Sequence, residues 1–563
     1  MKLRWIGTVM LVLCATLAMP GQSKESSLLL YGGPIYTSSD PASRVDALVL
    51  ENGRVAFAGP LELARKVQGT AREINLEGAV AYPGFVDAHA HLAGIGFAER
   101  QLDLTGSTSL EDLKQKLAAW SRIHPAGPIK GRGWIETHWP SAAMPTKEDL
   151  DQVVSDRPVL LSRADGHAAV ANSAALLAAD ITDATEDPAG GRVVRDAQGH
   201  ATGLVIDYAI DLLEKLFATP SDKEYAAALE AAAKLYASRG WTGLGYMDAG
   251  WPEIAELAEL ARRNRLPIRV DAFLRGSDAR HVFDSGMTVD ATNLVRVRGV
   301  KLYMDGALGS RGAALLKPYS DAPESAGLLL TQPAALSEML QRARDSDVQV
   351  AIHAIGDRGN RLALDGIIGT FADRPDQLKE RRWRIEHAQV LAAEDLPRFG
   401  RYGVIASMQP SHAISDLYFA RNRLGATRLA GAYAWHDLLA SGATIAGGSD
   451  APVEKGDPLM EFYAATYRHD LAGKAGPDWH PEQAMTKAEA IRAFTWASAY
   501  AVRQEEERGT LEVGKRADVS VFSVDLFAAS PQEVLKAHAV MTIVAGKVVY
   551  SIQSETSGGK DQL

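Results

Sequence analysis

The stretch 80-VAYPGFVDAHAHLAG-94 decides the fold class of this chain of 563 residues. An apolar run leads through Pro83 and Gly84 into His89 and His91, which lie two positions apart. In a β-strand, side chains two positions apart point to the same face. The two imidazoles therefore converge on one point, and the stretch predicts a buried strand that ends at a histidine-rich site.

The middle of the chain alternates short apolar strands with helical stretches such as 224–240 and 334–347, which is typical of a parallel sheet. The predicted strands lie near residues 81–89, 241–248, 267–274, 296–304, 348–355, 382–388, 403–409 and 443–450. Eight strand–helix units favour a (β/α)8 TIM-type barrel, of the α/β class, over an open sheet.

The connection between the first two predicted strands is too long to be a single loop. Residues from about 95 to 222 are therefore predicted to form an insertion, with a strand of its own near 158–167. Because the insertion follows a barrel strand, we expect it at the C-terminal mouth of the barrel. There it would serve as a lid and substrate platform.

Both ends of the chain read as short strands separated by turn residues. The economical interpretation is one small β-sandwich domain that is built from residues 24–82 and 506–553. Two separate β modules are the alternative. The barrel domain then covers residues 83–505, with Pro83 and Gly84 at the crossing, and residues 554–563 form a polar tail.

The N-terminus has the pattern of a secretory signal peptide, in which Lys2 and Arg4 precede a short apolar core. Residues 1–23 are predicted to be removed on export to the periplasm or the medium, and no stable membrane insertion is expected afterwards. The apolar run is short for a spanning helix, so an uncleaved anchor is the weaker alternative. Cys14 is the single cysteine, so the mature chain is predicted to lack disulfides and cysteine metal ligands.

The composition is that of a globular protein, with 46% hydrophobic and 23% charged residues. A formal net charge of -10 argues against nucleic acid as a partner, because nucleic-acid binding needs a basic face. The expected partner is a small-molecule substrate, and a homodimer is an open alternative for the assembly.

Side chains that can bind a metal stand at the ends of five predicted strands. They are His89 and His91 on the first strand, Lys301 and Asp305 on the fourth, His353 on the fifth, His387 on the sixth and Asp450 on the eighth. The C-terminal strand ends of a barrel surround a single pocket, so these groups are predicted to meet there. For any one histidine alone, a hydrogen-bonded place in the core is the alternative.

Imidazole and carboxylate ligands suit zinc or a similar divalent ion, and zinc lowers the pKa of its bound water to roughly 7. Such a water can attack a carbonyl, and Asp450 is the candidate that passes the proton to the leaving group. Lys301 as an ammonium group is a hydrogen-bond donor only. It either carries a carboxylate derived from CO2 and bridges two ions, or it pairs with Asp305 or Asp450.

Several further residues are candidates for substrate contacts. They are Trp134, His167, Asp305, Arg311 and His412, with Arg468 as a second candidate beside Arg311 for a substrate carboxylate. His167 and His412 are alternatively partners of metal ligands. For Trp134 ordinary packing is equally open, and for the two arginines a salt-bridge role is the alternative.

Nine segments carry a resemblance to a known superfamily. They are 84-GFVDAHAHL-92, 131-GRGWIE-136, 157-RPVLLSRADGHAAVANSAAL-176, 300-VKLYMDGALGSR-311, 351-AIHAIGD-357, 384-RIEHAQV-390, 407-SMQPSHA-413, 447-GGSDAPVE-454 and 508-RGTLEVGKRADVSVFS-523. Together they resemble the amidohydrolase superfamily and, within it, the branch typified by N-substituted formamide deformylases, amidohydrolase family 3.

The resemblance implies a metal site built from His89, His91, Lys301, His353, His387 and Asp450. By this resemblance the first two histidines would ligate a buried ion, and the other two would hold a second ion. Lys301 is similar to a carboxylated lysine that bridges the two ions, and Asp450 would be both a ligand and the general acid and base. Members of the superfamily differ in whether one or two ions are present, so the number of ions stays open.

The sequence thus predicts a metal-dependent hydrolase that cleaves a carbon–nitrogen bond other than a peptide bond, such as an N-formyl or N-acyl amide. One alternative keeps the site and changes the bond, giving an esterase, a lactonase or a carbamate hydrolase. Another alternative is a binding or scaffold protein on a catalytically inactive barrel. Lost ligands would indicate that last alternative, and all six ligand positions are filled.

Overall fold

The stretch 80–94 crosses from one sheet into another. The computed structural model describes residues 27–98, 100–217, 220–476 and 479–552. Val80–Pro83 and Phe85–Ala90 are strands of different sheets. Gly84 lies between them, where a Cβ atom would be 2.3 Å from Thr242 Oγ1, so the close approach of the two units requires glycine. The predicted signal peptide and the polar tail lie outside the described residues.

Eight parallel strands form the central sheet, and their hydrogen-bonding order follows the chain. The strands are Phe85–Ala90, Trp241–Ala249, Arg269–Arg275, Val295–Tyr303, Gln349–Ala354, Arg384–His387, Ile405–Met408 and Ile445–Gly447, with the short Thr288–Val289 beside the fourth. The predicted (β/α)8 barrel is confirmed, and each predicted strand is present.

The first and eighth strands are held together around their C-terminal ends. Asp450 N–H donates to His89 O at 2.7 Å, and His91 N–H donates to Ala451 O at 2.8 Å. The buried carboxylate of Asp87 accepts hydrogen bonds from Ser449 N–H at 2.9 Å and from the Ser449 hydroxyl. These bonds bring the aspartate that follows the eighth strand beside the histidines of the first.

Helices connect and cover the barrel strands. The barrel section contains Asp222–Arg239, Trp251–Arg262, Ala279–Ser285, Pro333–Asp345, Asp357–Thr370, Pro375–Arg381, Leu396–Tyr402, Pro410–Ser415, Ala420–Leu424, Ala426–Leu429, Trp435–Ala440, Pro458–Tyr467, Lys487–Phe494 and Trp496–Ala501. Asp222–Arg239 begins at a capping box made by Ser221 and Glu224 and ends at Gly240, whose φ of 100° suits glycine. Among the described residues, no helix has both the length and the apolar character needed to cross a membrane.

A second sheet lies between the first and second barrel strands in the sequence. Its order is Gly191–Arg195, Ala201–Asp207, Ala168–Ala171, Val159–Arg163, Ile129–Trp134 and Leu102–Asp103. The helices of this insertion are Leu92–Ala98, Leu110–Ile123, Lys147–Asp151, Ser173–Ala178 and Asp211–Glu214. Buried leucines, valines and tryptophans give the insertion a hydrophobic core of its own, so it is a folded unit and can hold polar groups in fixed positions.

A third sheet combines strands from both ends of the chain. Its order is Lys547–Ser551, Ala539–Val544, Val519–Phe522, Val80–Pro83, Leu28–Tyr36, Arg44–Glu51 and Arg54–Gly59, with Arg72–Asn75 pairing with Leu28–Tyr36. The helices Leu61–Val67 and Pro531–Lys536 accompany it. Residues from both ends share one buried cluster that includes Leu30, Val519 and Ile543. The sheet therefore depends on the two ends being present together.

A buried ion pair joins this sheet to the barrel. Arg269, in the third barrel strand, donates through Nε and Nη2 to the two carboxylate oxygens of Asp518, at 2.7 and 2.9 Å. Asp518 also accepts the N–H of Ala545 at 2.8 Å. Burial alone would raise the pKa of Asp518, but the guanidinium of Arg269 holds the pKa below its usual value.

Replacement of Arg269 by methionine should destabilise the protein, because it leaves the Asp518 carboxylate buried without its counter-ion. We expect a loss of about 3–5 kcal/mol in the free energy of unfolding, measured by urea denaturation. Arg54→Met is the matched control, because Arg54 pairs with Glu507 at 3.1 Å on the surface and exposed pairs contribute at most about 1 kcal/mol. Equal losses in the two variants would contradict this role of the buried pair.

Candidate metal centre and substrate cavity

The six ligands predicted from the sequence meet at the C-terminal end of the barrel. Lys301 Nζ lies 3.4 Å from His89 Nε2. The ring of His387 lies 4.8 Å from that of His89 and 4.5 Å from that of His353, measured between centroids. A further histidine, His412 of the helix Pro410–Ser415, joins them with its ring 5.8 Å from that of His387. The strand-end pattern in the sequence thus corresponds to one cluster of side chains.

Three of the histidines are oriented by hydrogen-bond acceptors. His89 Nδ1 lies 2.6 Å from Glu386 Oε2, and His91 Nδ1 lies 3.1 Å from the carbonyl oxygen of Met247. His387 Nδ1 lies 2.8 Å from Gln409 Oε1. Because these oxygens accept hydrogen bonds, each Nδ1 carries the proton, and in a neutral ring the lone pair is then on Nε2. This is the arrangement of a metal ligand whose second nitrogen is held by a partner.

The Nε2 lone pairs point to the carboxylate of Asp450. Asp450 Oδ1 lies 3.1 Å from His91 Nε2 and 3.4 Å from His89 Nε2, and Oδ2 lies 3.7 Å from His412 Nε2. Within the described part of the chain, Asp450 Oδ1, His353 Nε2 and His412 Nε2 are buried without a hydrogen-bond partner. A neutral Nε2 atom and a carboxylate oxygen are both hydrogen-bond acceptors, so they cannot bond to each other. A cation bound between them would satisfy both. Nitrogen and oxygen donors of this kind fit a divalent ion.

The electrostatic environment favours the charge states that bind a metal. Burial lowers the pKa of His353 and of His387 well below the usual value, which favours the neutral imidazole. Burial alone would raise the pKa of Asp450, but His89 and the neighbouring histidines hold it well below its usual value. The environment therefore favours neutral rings for His353 and His387 and an ionised carboxylate for Asp450.

Two sets of three residues have ligand atoms within 4.8 Å of one another in the described part of the chain. The first set is His89, His91 and Asp450, and the second is His387, His412 and Asp450. The sequence placed His353 beside His387 in a second ion site. In the structure His412, which the sequence assigned to substrate contact, has the ligand geometry of the second set.

Lys301 is buried, and burial lowers its pKa to about 8. Among the described residues it forms no ion pair with Asp305 or Asp450, so the pairing alternative is not observed. Asp305 instead accepts three backbone N–H groups, from Ala314 at 2.7 Å, Ile355 at 2.9 Å and Gly356 at 2.8 Å. Asp305 thus stabilises the loops that follow the fourth and fifth barrel strands.

A cavity of about 1560 Å³ opens on the cluster. Its wall includes His353, His387, His412 and Asp450 from the barrel and Arg132, Arg163, Asp165 and His167 from the insertion. The insertion therefore covers the mouth of the barrel, and whatever reaches the cluster passes residues of both units.

Two of the five predicted substrate contacts, His167 and His412, line this cavity. His167 Nδ1 lies 2.6 Å from Asp207 Oδ1, and its ring lies 5.2 Å from that of His353. Burial alone would lower the pKa of His167, but Asp207 raises it above its usual value. A histidine oriented in this way can donate a proton or a hydrogen bond into the cavity.

The other three predicted contacts, Trp134, Asp305 and Arg311, are not on the cavity wall. Trp134 is buried in the core of the insertion, where its Nε1 donates to Leu161 O at 2.8 Å. Arg311 pairs with Asp321 at 2.9 Å. Asp305 is occupied by its backbone donors. These three residues therefore have structural roles: Trp134 packs in the core of the insertion, Arg311 forms an ion pair, and Asp305 binds backbone N–H groups.

Sequence reasoning missed Glu386 and Arg384, which support the cluster from the sixth strand. Arg384 is fully buried, contacts Glu386 and donates to Ala88 O at 2.8 Å. Burial alone would raise the pKa of Glu386, but Arg384 and His89 hold it below its usual value. The available signal was the pair of charges in 384-RIEH-387, since a strand of a parallel barrel has no solvent face.

In parallel (β/α)8 barrels the active site lies at the C-terminal ends of the strands. The position of this cluster is therefore that of the active site of a barrel enzyme. A family model described as amidohydrolase family, Amidohydro_3, matches residues 72–550, so the chain belongs to this family. It is a hydrolase that acts on carbon–nitrogen bonds, and the resemblance inferred from the motifs is confirmed.

The chain is similar to proteins that match 90–93% of its length. It is 34% identical over 530 residues to "Putative amidohydrolase YtcJ" of Bacillus subtilis (strain 168), covering 92% of this chain and 98% of the relative. It is 26% identical over 548 residues to N-substituted formamide deformylase of Arthrobacter pascens, covering 93% and 98%. An uncharacterized metal-dependent hydrolase from Pyrococcus horikoshii OT3 superposes with a TM-score of 0.73 at 29% identity, covering 90% of this chain and 99% of that one.

Glu386→Gln should weaken metal binding without removing a ligand. The neutral amide is a poorer acceptor for His89 Nδ1–H, so we expect a loss of about 10- to 100-fold in zinc affinity, measured by competition with a chelator. Glu454→Gln is the control, because Glu454 lies on the cavity wall and accepts from Ser415 Oγ at 2.6 Å. An unchanged zinc affinity in Glu386→Gln would show that this hydrogen bond does not support the centre.

Proposed function

We propose that the protein is a divalent-metal hydrolase, with zinc as its resident ion, that cleaves a non-peptide amide such as an N-formyl or N-acyl compound. The observation that carries the proposal is the buried Oδ1 atom of Asp450, which faces the Nε2 atoms of His89 and His91 and has no hydrogen-bond partner among the described residues. The similar hydrolase from Pyrococcus horikoshii OT3 is described as metal-dependent, and the formamide deformylase of Arthrobacter pascens supports the substrate class.

His89, His91 and Asp450 would hold one ion, and His387 with His412 and Asp450 would hold a second where two are bound. When bound, a divalent ion polarises a carbonyl oxygen and lowers the pKa of a coordinated water. The remaining chemistry belongs to side chains of this chain. Asp450 lies on the cavity wall and is the base that takes a proton from water. It then returns the proton to the nitrogen of the leaving amine.

His167 is the residue that we place at the carbonyl oxygen of the substrate. Asp207 fixes the orientation of the ring through Nδ1, which leaves Nε2 for the cavity. Because Asp207 raises the pKa of His167, the ring can carry the proton that it donates to a developing oxyanion. The insertion thereby supplies a catalytic group to a centre that the barrel holds.

Lys301 is proposed to be carboxylated. Its burial and lowered pKa of about 8 favour the neutral amine, which can add to CO2 to give a carbamate and release one proton. The carbamate oxygens would then stand beside His89, whose Nε2 is 3.4 Å from Lys301 Nζ. A carboxylate at this place supports the second ion.

Lys301→Met removes the amine and keeps the apolar stem, so the protein should bind at most one zinc ion tightly. Elemental analysis of the purified variant and the wild type measures this directly. Wild-type protein supplied with 13C-bicarbonate should show a carbamate carbon resonance that the variant lacks. A wild-type spectrum without that resonance would count against carboxylation.

Asp450→Asn should abolish turnover, because the amide cannot accept and return the proton. We expect kcat to fall by more than about 100-fold, in line with loss of a general acid and base. The assay is a panel of N-formyl, N-acyl and cyclic amides with matched esters, using zinc-loaded enzyme. Zinc content is measured on the same samples, since Asp450 is also a ligand.

The panel also separates the alternatives. Turnover of esters or lactones alone would replace the amide proposal by an esterase or lactonase at the same centre. A clean preparation without metal, in which His89→Ala and His91→Ala leave all activity unchanged, would refute the metal-dependent mechanism.

A further inference from the structure

Arg132 is a guanidinium on the cavity wall that lacks a carboxylate partner. It lies in the insertion strand Ile129–Trp134, and its Nη2 donates to Ala164 O at 2.9 Å. Its Nε is buried and has no hydrogen-bond partner among the residues that the structure describes. Within the described ranges of the chain, Arg132 takes part in no ion pair. The side chain therefore has donors that the protein itself leaves unsatisfied.

Two other cations on the same wall, Arg163 and Lys116, each have two partners in the protein. Arg163 donates to Glu136 Oε2 at 2.8 Å and to Asp165 Oδ2 at 2.5 Å. Lys116 donates to Thr105 O at 3.0 Å and to Ser107 Oγ at 3.2 Å. Among the described residues, Arg132 differs from Arg163 in having no anionic partner, and it differs from Lys116 in having a buried donor, Nε, without a hydrogen bond.

The position of Arg132 is fixed by the backbone. Arg132 O accepts the N–H of Leu104 at 2.8 Å. The register with the next strand shifts between Arg132 and Trp134, at Gly133, whose φ is 111°. This irregularity breaks the strict alternation of side chains, so Arg132 lines the cavity while Trp134 packs in the core.

Arg132 lies in a partly buried position, where a guanidinium without an ion-pair partner is unfavourable. Burial lowers the pKa of Arg132, although the attraction of Asp450 and Asp165 opposes this. A partly desolvated cation without a counter-ion is costly, and an anion that enters the cavity removes the cost. Arg132 and Asp450 line the same cavity, so the guanidinium and the metal cluster face the same space.

We propose that Arg132 binds an anionic group of the substrate, so that the preferred substrates carry a carboxylate in addition to the bond that is cleaved. The inference rests on the proposed hydrolase function and names its substrate class. The planar fork of a guanidinium matches the two oxygens of a carboxylate. The arginines that the sequence suggested for this role are occupied, since Arg311 pairs with Asp321 and Arg468 donates to Trp479 O and Tyr433 O.

Binding of ligands that cannot be hydrolysed tests the proposal without relying on turnover. The probes are N-benzyl amino acids with one to four methylenes between the nitrogen and the carboxylate, each paired with its primary carboxamide. A methylene replaces the carbonyl in all of them, and the two members of a pair differ at the terminal group, which is an anionic carboxylate in one and a neutral carboxamide of the same shape in the other. Titration calorimetry with the zinc-loaded full-length protein measures each affinity.

For the spacing that fits, the carboxylate should bind wild-type protein about 10- to 100-fold more tightly than its carboxamide, as for hydrogen bonds between charged groups. Arg132→Gln should abolish this preference while the carboxamide binds as before, because glutamine can still donate to Ala164 O. Lys116→Gln, which removes a satisfied cation from the same wall, should keep the preference. Should Arg132→Gln fail to fold, Arg132→Lys keeps the charge without the fork and should reduce the preference.

The proposal is overturned if no carboxylate in the series is preferred, or if the preference survives replacement of Arg132. These results differ from a failure of the proposed function. A preference that depends on Arg132 in a protein that hydrolyses none of the amide panel would retain the anion site and reject the hydrolase. Hydrolysis of amides by a protein in which replacement of Arg132 does not change the carboxylate preference would retain the hydrolase and reject the anion site.

Discussion

The structure depends on a buried carboxylate, Asp87, at the place where the first and eighth barrel strands meet. Its oxygens accept hydrogen bonds from the N–H and hydroxyl of Ser449, from the Tyr236 hydroxyl and from His89 N–H. Burial raises the pKa of Asp87 to about 6 in spite of these donors. Because Ser449 precedes Asp450, the bonds that join the strands also place the candidate base beside the histidines. The contacts that close the barrel are thus the same contacts that position Asp450 in the centre.

The orientation of the histidines has the same origin. His89 of the first strand is held by Glu386 of the sixth, and His91 is held by a carbonyl of the second strand. His387 of the sixth strand is held by Gln409, which follows the seventh. Each acceptor comes from a different strand than the histidine that it orients. The Nε2 atoms can therefore converge only when the barrel is complete. Burying these polar atoms costs free energy in the folded protein, and a bound cation can offset that cost.

The sequence was sufficient for the features that follow from local rules. Alternation along a strand predicts that His89 and His91 share a face, and the barrel rule brings distant strand ends into one pocket. Glu386 was out of reach, because its contact with His89 spans 297 positions in the chain. His412 appeared as a substrate contact, since nothing in 407-SMQPSHA-413 specifies the short helix that turns its Nε2 to Asp450.

The insertion shows why a side-chain pattern alone does not identify a substrate contact. Strict alternation would place Arg132 and Trp134 on one face, and the sequence suggested Trp134 as a substrate contact. The positive φ of Gly133 and the shift in strand register separate the two, and the guanidinium rather than the indole reaches the cavity. The barrel therefore holds the groups of the cluster through contacts between strands that are far apart in the sequence. The insertion adds Arg132 to the wall that an approaching molecule passes, and the irregular backbone at Gly133 brings this side chain to the cavity.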